Sequence, residues 1–349
     1  MPVLTRTRAG TRETLDLTPV MAAYAAVTGV RKGLAHLLTR LGWRPALLPY
    51  AGYAGAEHAR VLARVVLAPL SADPAARRGI AAWRRLFTLE RPSVEVEIEL
   101  GGTTVTAVSD EQGVLDATVD LDGPLGDGPV EAVLRVPGRE PTRVPVHVVA
   151  EGGSRGVVCD IDDTVWVTGL ANPLAAARRT FWGRSATRRS VPGMADLVHE
   201  AVRGQDRPAV VYVSNGPWNF AGIASRFLER NGFPAGTVLM TDWGITPDRW
   251  FRDGKEHKRS SLRRLHEDLP HVAWVLVGDD GEHDPELYAA FARDHGDAVR
   301  AIAVRQVQEA AAGDREQVTS AHGVPVVHGP DGHALLPLLR DALARREAR

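Results

Sequence analysis

The sequence has a single cysteine and no excess of charge of either sign. One cysteine in 349 residues excludes an intrachain disulfide framework, and the apolar run around Cys159 predicts a small buried side chain there. The 42 basic and 43 acidic residues give a net charge of −1, so no overall positive field would attract nucleic acid. We therefore do not expect a nucleic-acid-binding protein.

Long hydrophobic runs and a glycine-rich nucleotide loop are also missing. No apolar stretch reaches the ~20 residues that a membrane-spanning helix needs, and residues 1–17 contain no hydrophobic signal core. Gly152 and Gly153 precede a predicted strand instead of following one, which disfavours a P-loop. These absences predict a cytoplasmic protein without a transmembrane span, and a hydrophobic content of 44% is enough to build packed cores.

Changes in hydrophobic period divide the chain into three regions. Residues 1–44 are predicted to form an N-terminal tail and a helix. Residues 45–150 alternate apolar and polar positions between Gly- and Pro-rich turns, with a short helix over Asp73–Phe87, and predict a small β-sandwich accessory domain. Residues 155–345 alternate apolar strands with amphipathic helices, which predicts an α/β domain with a parallel sheet and helices on both faces.

The N-terminal region allows two interpretations. Residues 1 to about 13 read as a disordered, mildly basic tail, and the apolar spacing over Leu15–Leu41 predicts a helix that ends before Gly42. Packing of this helix on its own domain is favoured. Because Arg31, Lys32 and Arg40 accompany it, an amphipathic helix at a membrane surface is the alternative.

Three carboxylates follow directly after the apolar run Val157–Cys159, at Asp160, Asp162 and Asp163. Parallel sheets bind ligands at the carboxyl ends of their strands, so this strand end is a candidate site. Asp160 is suited to attack a phosphoryl group and form an aspartyl-phosphate. Asp162 is suited to general acid–base catalysis, and Thr164 is placed to steady the loop that carries it.

The acidic strand end could also be a calcium-binding loop or a lone pair of solvated acids. A calcium-binding loop would need Gly at its sixth position and Glu at its twelfth, where this chain has Val165 and Ala171. Solvated acids at a strand end remain the simpler alternative. Two carboxylates held this close repel each other, and Mg²⁺ is the usual hard cation that offsets such repulsion.

Two further segments place polar groups where a phosphoryl oxygen could be bound. The strand that precedes Ser214 and Asn215 ends in a hydroxyl and an amide, although Asn-Gly is also common in simple turns. Lys258 is predicted to lie at the start of a helix over His257–Leu269, where a cation is unfavourable for the helix dipole and is therefore expected to have a partner. Lys255 is the alternative lysine for this role.

A second acidic strand end follows Val277, in Gly278-Asp279-Asp280-Gly281-Glu282-His283-Asp284. Asp279 is expected to complete a Mg²⁺ site with Asp160 and the backbone carbonyl of Asp162. Asp284 is expected to act from just outside that site, and Asp280 is a secondary candidate. His283 is expected to be a surface or supporting residue, because an oxygen-rich site does not favour imidazole.

Taken in chain order, Asp160-Ile161-Asp162-Asp163-Thr164, Ser214, Lys258 and Gly278-Asp279 with Asp284 resemble the four motifs of the haloacid dehalogenase-like phosphatases. The segments DIDDTV, YVSNGPWN, HK and VLVGDDGEHDPELY are more similar still to the actin-patch-associated, Mg²⁺-dependent phosphatidate phosphatases. This resemblance covers residues 155–310. It implies a Rossmann-like parallel sheet, a Mg²⁺ cofactor and phosphatidate as the archetypal substrate.

The resemblance has departures, among them one at position 280, and one extension outside the α/β region. Position 280 is more commonly Ser in that family, whereas this chain has Asp280. The segment YAGYAG at Tyr50–Gly55, followed by a strand-rich region, resembles the accessory region of bacterial members.

An insertion over Thr168–Val191 is the candidate determinant of substrate choice. It carries basic residues around Phe181 and Trp182, namely Arg178, Arg179, Arg184, Arg188 and Arg189. Such a basic and aromatic segment is suited to an anionic lipid surface, and a solvated arginine-rich helix is the alternative.

The sequence leaves three functions open. The first is a Mg²⁺-dependent phosphatase for phosphatidate or a related lipid phosphomonoester, peripheral at a membrane. The second is a phosphatase for a soluble phosphate ester or a phosphoprotein. The third is a scaffold that binds a partner without catalysis, which the joint presence of Asp160, Asp162, Ser214, Lys258 and Asp279 disfavours.

Overall fold

The computed structural model describes residues 3–8, 11–16, 33–70, 89–126, 128–152, 154–167, 189–241, 247–307 and 317–347. Over this part of the chain the fold is mixed α/β, with two seven-stranded sheets and a separate two-stranded hairpin. No helix in these ranges is both long and apolar enough to cross a bilayer.

The N-terminal residues form a β-hairpin, so the prediction of a disordered tail is wrong for them. Strands β1 (Val3–Arg8) and β2 (Thr11–Asp16) pair antiparallel. The repeated threonines between charged residues have the period of two and the β-branching that favour strands. The predicted helix is therefore also wrong at Leu15; residues 33–40 are helical (α1), and residues 17–32 lie outside the described ranges.

The first large sheet is built by the strand-rich region. Its strands are β3 (Arg44–Ala54), β4 (His58–Ala68), β5 (Glu95–Leu100), β6 (Thr103–Val108), β7 (Val114–Asp120), β8 (Val130–Arg135) and β9 (Thr142–Val148). They are ordered β6-β5-β8-β9-β3-β4-β7, antiparallel except for the β3–β9 pair. The predicted short helix over Asp73–Phe87 lies outside the described residues.

These strands form one continuous sheet, which corrects the prediction of a two-sheet sandwich. The edge strands β6 and β7 contact each other, so the sheet curls until it is partly barrel-like. Alternating burial along β5 leaves Glu95 exposed and buries Val96, Ile98 and Leu100 inside the curve. The period of two predicts such strands, but it does not determine whether they close as one sheet or two.

The second large sheet is formed by β10 (Arg155–Asp160), β11 (Val210–Pro217), β12 (Thr237–Thr241), β13 (Ala273–Asp279), β14 (Val299–Arg305), β15 (Val318–Ala321) and β16 (Val324–Gly329). The order is β12-β11-β10-β13-β14-β16-β15, and every pair is parallel except β15–β16. The helices of this region are α2 (Met194–Ala201), α3 (Ala221–Arg230), α4 (Pro247–Asp268), α5 (Asp284–Asp294) and α6 (Gly332–Glu347).

Strand β10 is the structural centre of this sheet, because β11 and β13 flank it in parallel. Its residues from Gly156 to Asp160 are all buried, as expected for a parallel strand covered on both sides. The predicted strand over Val157–Asp160 is confirmed. The carboxyl ends of β10, β11 and β13 therefore meet at the same edge of the sheet.

Candidate active site

Polar residues converge at the shared edge of β10, β11 and β13. Asp160 is the last residue of β10, and its register partner on β11 is Val213, directly before Ser214. Asp279 is the last residue of β13. The predicted grouping of Asp160, Ser214 and Asp279 thus follows from parallel pairing of three apolar strands.

A buried cluster of three carboxylates forms the centre of the site. One oxygen each of Asp160, Asp279 and Asp284 lies within 4.8 Å of the others, and none of these residues is more than 1% exposed. Asp284 was expected just outside this group; it lies inside because α5 begins there and turns its first side chain back toward β13. A Cβ at Gly278 would lie 2.8 Å from the Cβ of Asp284 and from the Tyr288 ring, so glycine permits this approach.

Lys258 contacts two members of the cluster. Its Nζ lies 2.7 Å from Asp160 Oδ1 and 2.6 Å from Asp284 Oδ1, and the side chain is 5% exposed. The prediction that Lys258 begins a helix is wrong, because α4 starts at Pro247 and Lys258 lies in its middle. The expectation that its charge has carboxylate partners agrees with the structure.

Lys255 occupies a more peripheral position than Lys258. Its side chain is 39% exposed, and its Nζ lies 3.9 Å from Glu286 Oε2. Lys255 lines the cleft beside the cluster together with Lys258 and Asn215. The geometry therefore favours Lys258 over Lys255 as the lysine that acts on Asp160.

Asp162 is held by two donors next to the cluster. Ser214 donates its hydroxyl to Asp162 Oδ2 at 2.5 Å, and the Trp166 indole N–H donates to Asp162 Oδ1 at 3.1 Å. Ser214 in turn accepts the Gly216 N–H at 2.9 Å. The loop after β10 is also tied to β13, because the Thr164 hydroxyl donates to Asp279 Oδ2 at 3.1 Å.

Glu282 is a site residue for which sequence reasoning assigned no role. Its Oε2 accepts a hydrogen bond from Asn215 Nδ2 at 2.9 Å and another from Lys258 Nζ at 3.1 Å. Glu282 therefore connects the predicted phosphate-binding amide to the predicted lysine. The acidic stretch after β13 contained the signal, but spacing alone did not distinguish Glu282 from its neighbours.

Asp280 lies apart from the cluster. Its Oδ1 accepts the Val307 N–H at 2.6 Å, and its own N–H donates to the Arg305 carbonyl at 3.0 Å. These bonds fasten the loop after β13 to the end of β14. Asp280 therefore supports the loop, and its predicted secondary role in the site stays a prediction.

Burial and like charge shift the acidities of the site. Burial raises the pKa of Asp160 well above its usual range, against the nearby Lys258 ammonium. Burial and the Asp284 carboxylate raise the pKa of Asp279 to about 7. Although burial alone would lower it, the carboxylates of Asp160, Asp284 and Glu282 hold the pKa of Lys258 well above its usual range.

The residues of the cluster fit a hard divalent cation. Asp160 Oδ2 is buried and has no hydrogen-bond partner among the described residues. The carboxyl groups of Asp160, Glu282 and Asp284 contact the Lys258 ammonium, and the carboxyl group of Asp279 lies beside those of Asp160 and Asp284. A cation bound through oxygen would offset this excess of negative charge and satisfy the orphaned oxygen.

The predicted substrate segment lies mostly outside the described residues, including Arg178, Arg179, Trp182, Arg184 and Arg188. The residues that precede it, 165–167, and its last residues, 189–191, are described and lie side by side. The Val167 N–H donates to the Arg189 carbonyl at 3.1 Å, and the Val191 N–H donates to the Val165 carbonyl at 2.9 Å. Residues 165–167 and 189–191, which flank residues 168–188, are therefore paired close to Asp162.

A family model and curated proteins match parts of this chain. Residues 155–306 match the family model described as phosphatidate phosphatase APP1, catalytic domain. An uncharacterised protein of Schizosaccharomyces pombe is 25% identical over 204 residues, which cover 57% of this chain and 33% of that protein. Phosphatidate phosphatase APP1 of Saccharomyces cerevisiae is 25% identical over 162 residues, which cover 46% of this chain and 27% of that protein.

The matched part of the chain thus spans about a third of the length of these curated relatives. Among solved structures, a carbohydrate acetylesterase from Xanthomonas citri aligns at 14% identity with a TM-score of 0.26. That alignment covers 87% of this chain and 67% of the other.

Proposed function

We propose that this chain is a Mg²⁺-dependent phosphatase that hydrolyses phosphatidate or a related lipid phosphomonoester through an aspartyl-phosphate on Asp160. The observation that carries the proposal is the buried Asp160 carboxylate, with a lysine ammonium 2.7 Å from one oxygen and no hydrogen-bond partner for the other among the described residues. The second oxygen of Asp160 can attack a phosphoryl group, and the carboxylate can also bind a metal ion.

The family match and the strand order of the second sheet also support this assignment. The matched family is one of phosphatidate phosphatases, and the match covers all the clustered residues from Asp160 to Asp284. The order β12-β11-β10-β13-β14-β16 is also the 3-2-1-4-5-6 order of doubly wound sheets, in which ligands bind at the carboxyl ends of the strands. Both support the proposal of a phosphatase whose site lies at these strand ends.

The first chemical step transfers the phosphoryl group to the protein. An oxygen of Asp160 forms a bond to phosphorus while the ester P–O bond breaks. The departing alkoxide takes a proton from the carboxylic acid form of Asp162, whose position is held by Ser214 and Trp166. Lys258 and Asn215 face the cleft and can donate hydrogen bonds to the phosphoryl oxygens.

The second step releases phosphate. The Asp162 carboxylate takes a proton from a water molecule while the water oxygen forms a bond to phosphorus. The bond between phosphorus and Asp160 breaks, which restores the Asp160 carboxylate. Asp162 is again protonated and ready for the next cycle.

Asp160, Asp279 and Asp284 would hold the Mg²⁺ ion, and the backbone carbonyl of Asp162 remains a further candidate ligand. When bound, Mg²⁺ supplies charge neutralisation for the anionic phosphoryl group. The lipid part of the proposal depends on the arginine-rich insertion, whose flanking residues 165–167 and 189–191 pair beside Asp162.

The proposal is tested by phosphate release from the purified chain with Mg²⁺. Phosphatidate vesicles, lysophosphatidate and a panel of soluble phosphate esters are compared, with Asp160→Asn as the matched control. We expect release from phosphatidate by the wild type and none by the variant. Release from soluble esters alone would keep the phosphatase and overturn the lipid substrate, and no release from any ester would overturn both.

A further inference from the structure

The segment Tyr50–Gly55 of the first sheet lies against the second sheet beside the candidate active site. The Tyr50 ring stacks on Trp218 with 5.2 Å between ring centroids and 25° between planes. The Tyr50 hydroxyl also donates to the Trp218 carbonyl at 3.3 Å. Trp218 follows Ser214 by four residues, so Tyr50 holds the end of the segment that carries Ser214 and Asn215.

The same segment holds helix α4, which carries Lys258. The Tyr53 hydroxyl donates to Asp268 Oδ2, in the last residue of α4, at 2.5 Å. A Cβ at Gly55 would lie 2.9 Å from the Leu269 side chain, so glycine allows the strand to approach the end of the helix. The segment thus contacts α4 about three turns after Lys258.

A charged network fastens α4 at a second point. Arg264 of α4 donates through Nη1 to both oxygens of Asp116 on β7 at 3.2 Å, and through Nη2 to the Thr118 hydroxyl at 2.9 Å. Arg60 of β4 donates to the same carboxylate at 2.8 and 2.6 Å. Although burial would raise it, Arg60 and Arg264 hold the pKa of Asp116 below its usual range, so the network stays charged at neutral pH.

Gly52 forms a third contact between the sheets. Its carbonyl accepts the Thr237 hydroxyl of β12 at 2.9 Å. A Cβ at Gly52 would lie 3.2 Å from the carbonyl carbon of Arg60, which explains the small residue between the two tyrosines. Three members of the segment, Tyr50, Gly52 and Tyr53, therefore each contact the α/β region.

We propose that Tyr50 is a positioning residue for the phosphate-binding segment, and that Tyr53 has the same role for α4. The catalytic consequence of this proposal rests on the proposed phosphatase function. Ser214 must reach Asp162, and Lys258 must reach Asp160, within hydrogen-bond distance. Both come from elements whose far ends are held by the first sheet, and a displacement of about 1 Å in such a site can cost about 100-fold in rate.

The test compares Tyr50→Leu with Tyr50→Phe in the full-length chain. Tyr50→Leu removes the ring that stacks on Trp218, and we expect kcat/KM for a soluble phosphate ester to fall about 10- to 100-fold. Tyr50→Phe keeps the ring and should restore most of this loss. Ile98→Ala is the matched control, because Ile98 is fully buried within the first sheet and belongs to a core separate from that of the second sheet.

Hydrogen exchange provides a readout that does not need activity. Exchange over residues 214–220 should be faster in Tyr50→Leu and unchanged in Ile98→Ala. Tyr53→Phe should accelerate exchange at the end of α4 and leave residues 214–220 unchanged, so it tests the proposal even if Tyr50→Leu does not fold.

The outcomes separate this proposal from the proposed function. If the wild type releases no phosphate but Tyr50→Leu still shows faster exchange over residues 214–220, the phosphatase function is overturned and the positioning role is supported. Kinetic and exchange effects that are equal in Tyr50→Leu and Ile98→Ala would overturn the positioning role, because general loss of stability would then explain both.

Discussion

At the residue scale, the candidate chemistry depends on the charges around Asp160. Lys258 balances part of the negative charge, since its ammonium contacts both Asp160 and Asp284. Asp162 stands apart from this pair and is held by Ser214 and Trp166. The two aspartates therefore have different environments, as a nucleophile and an acid–base group require.

The separation of roles predicts different effects for two isosteric substitutions. Asp160→Asn should abolish turnover and phosphoenzyme formation together, because an amide is not a nucleophile. Asp162→Asn should keep the fold and lower turnover by about 10²- to 10⁴-fold, the range for loss of general acid–base catalysis, with phosphoenzyme accumulating. Burst-phase labelling measures both, and undiminished turnover in Asp160→Asn would exclude the covalent mechanism.

The carboxylate cluster predicts how the metal requirement changes. EDTA should abolish phosphate release, and added Mg²⁺ should restore it. Asp279→Ala removes one of three clustered carboxylates and should raise the Mg²⁺ concentration for half-maximal activity by at least about tenfold. Asp280→Ala is the adjacent control and should leave that concentration unchanged, since Asp280 bonds to Val307 instead. An unchanged titration in Asp279→Ala would place the metal elsewhere.

At the element scale, the insertion after β10 connects the site to the choice of substrate. Residues 165–167 and 189–191, which flank residues 168–188 of the insertion, are paired by backbone hydrogen bonds next to Asp162. We propose that a surface bound by the insertion would lie close to the candidate acid–base group. Its cluster of arginines makes an anionic lipid surface the proposed partner.

Neutralising the arginines of the insertion should separate lipid from soluble activity. Each arginine near an anionic bilayer contributes about 1 kcal/mol of screened attraction. The combined variant replaces Arg178, Arg179, Arg184, Arg188 and Arg189 by glutamine. Vesicle binding and phosphatidate hydrolysis should fall strongly at low salt, whereas turnover of a small soluble ester should survive.

The comparison with the soluble ester is the control for this variant. Equal loss of both activities would place the insertion in the catalytic pocket. Unchanged vesicle binding would remove the support that the insertion gives to a lipid substrate.

At the scale of the whole molecule, the buried cluster makes stability depend on pH and metal. The pKa of Asp279 is raised in the folded protein from its usual 3.8 to about 7. An acid whose pKa is raised on folding contributes stability that is fully present below about pH 4 and is lost as the pH rises through 7. The metal-free protein should therefore lose stability over this window, and Mg²⁺ should restore it most above pH 7.

Thermal unfolding of the metal-free protein and of Asp279→Asn checks this expectation. Between pH 4 and 8, the wild type should lose roughly 1–4 kcal/mol relative to the variant, whose amide does not titrate. Using the variant as the reference cancels contributions from other groups, such as the lowered pKa of Asp116. Parallel curves for the two proteins would contradict the raised pKa.

The sequence by itself determined the strands that carry the site. Continuous apolar runs predicted β10, β11 and β13, and the polar residues at their ends had to meet because the carboxyl ends of parallel strands share an edge. Asp160, Ser214 and Asp279 were therefore predicted from local pattern alone. The charge of Lys258 predicted its contact with carboxylates. Its position in the middle of α4 was not predicted.

Only the tertiary structure decided how the remaining parts come together. Asp284 joined the cluster and Glu282 reached Asn215 because the turn into α5 folds back on β13, which spacing along the chain does not specify. The first sheet closed as one partly barrel-like sheet, and Tyr50 met Trp218, through contacts between residues far apart in sequence. Local periodicity sets which face of an element is apolar, whereas the partner for that face is chosen only when the whole core packs.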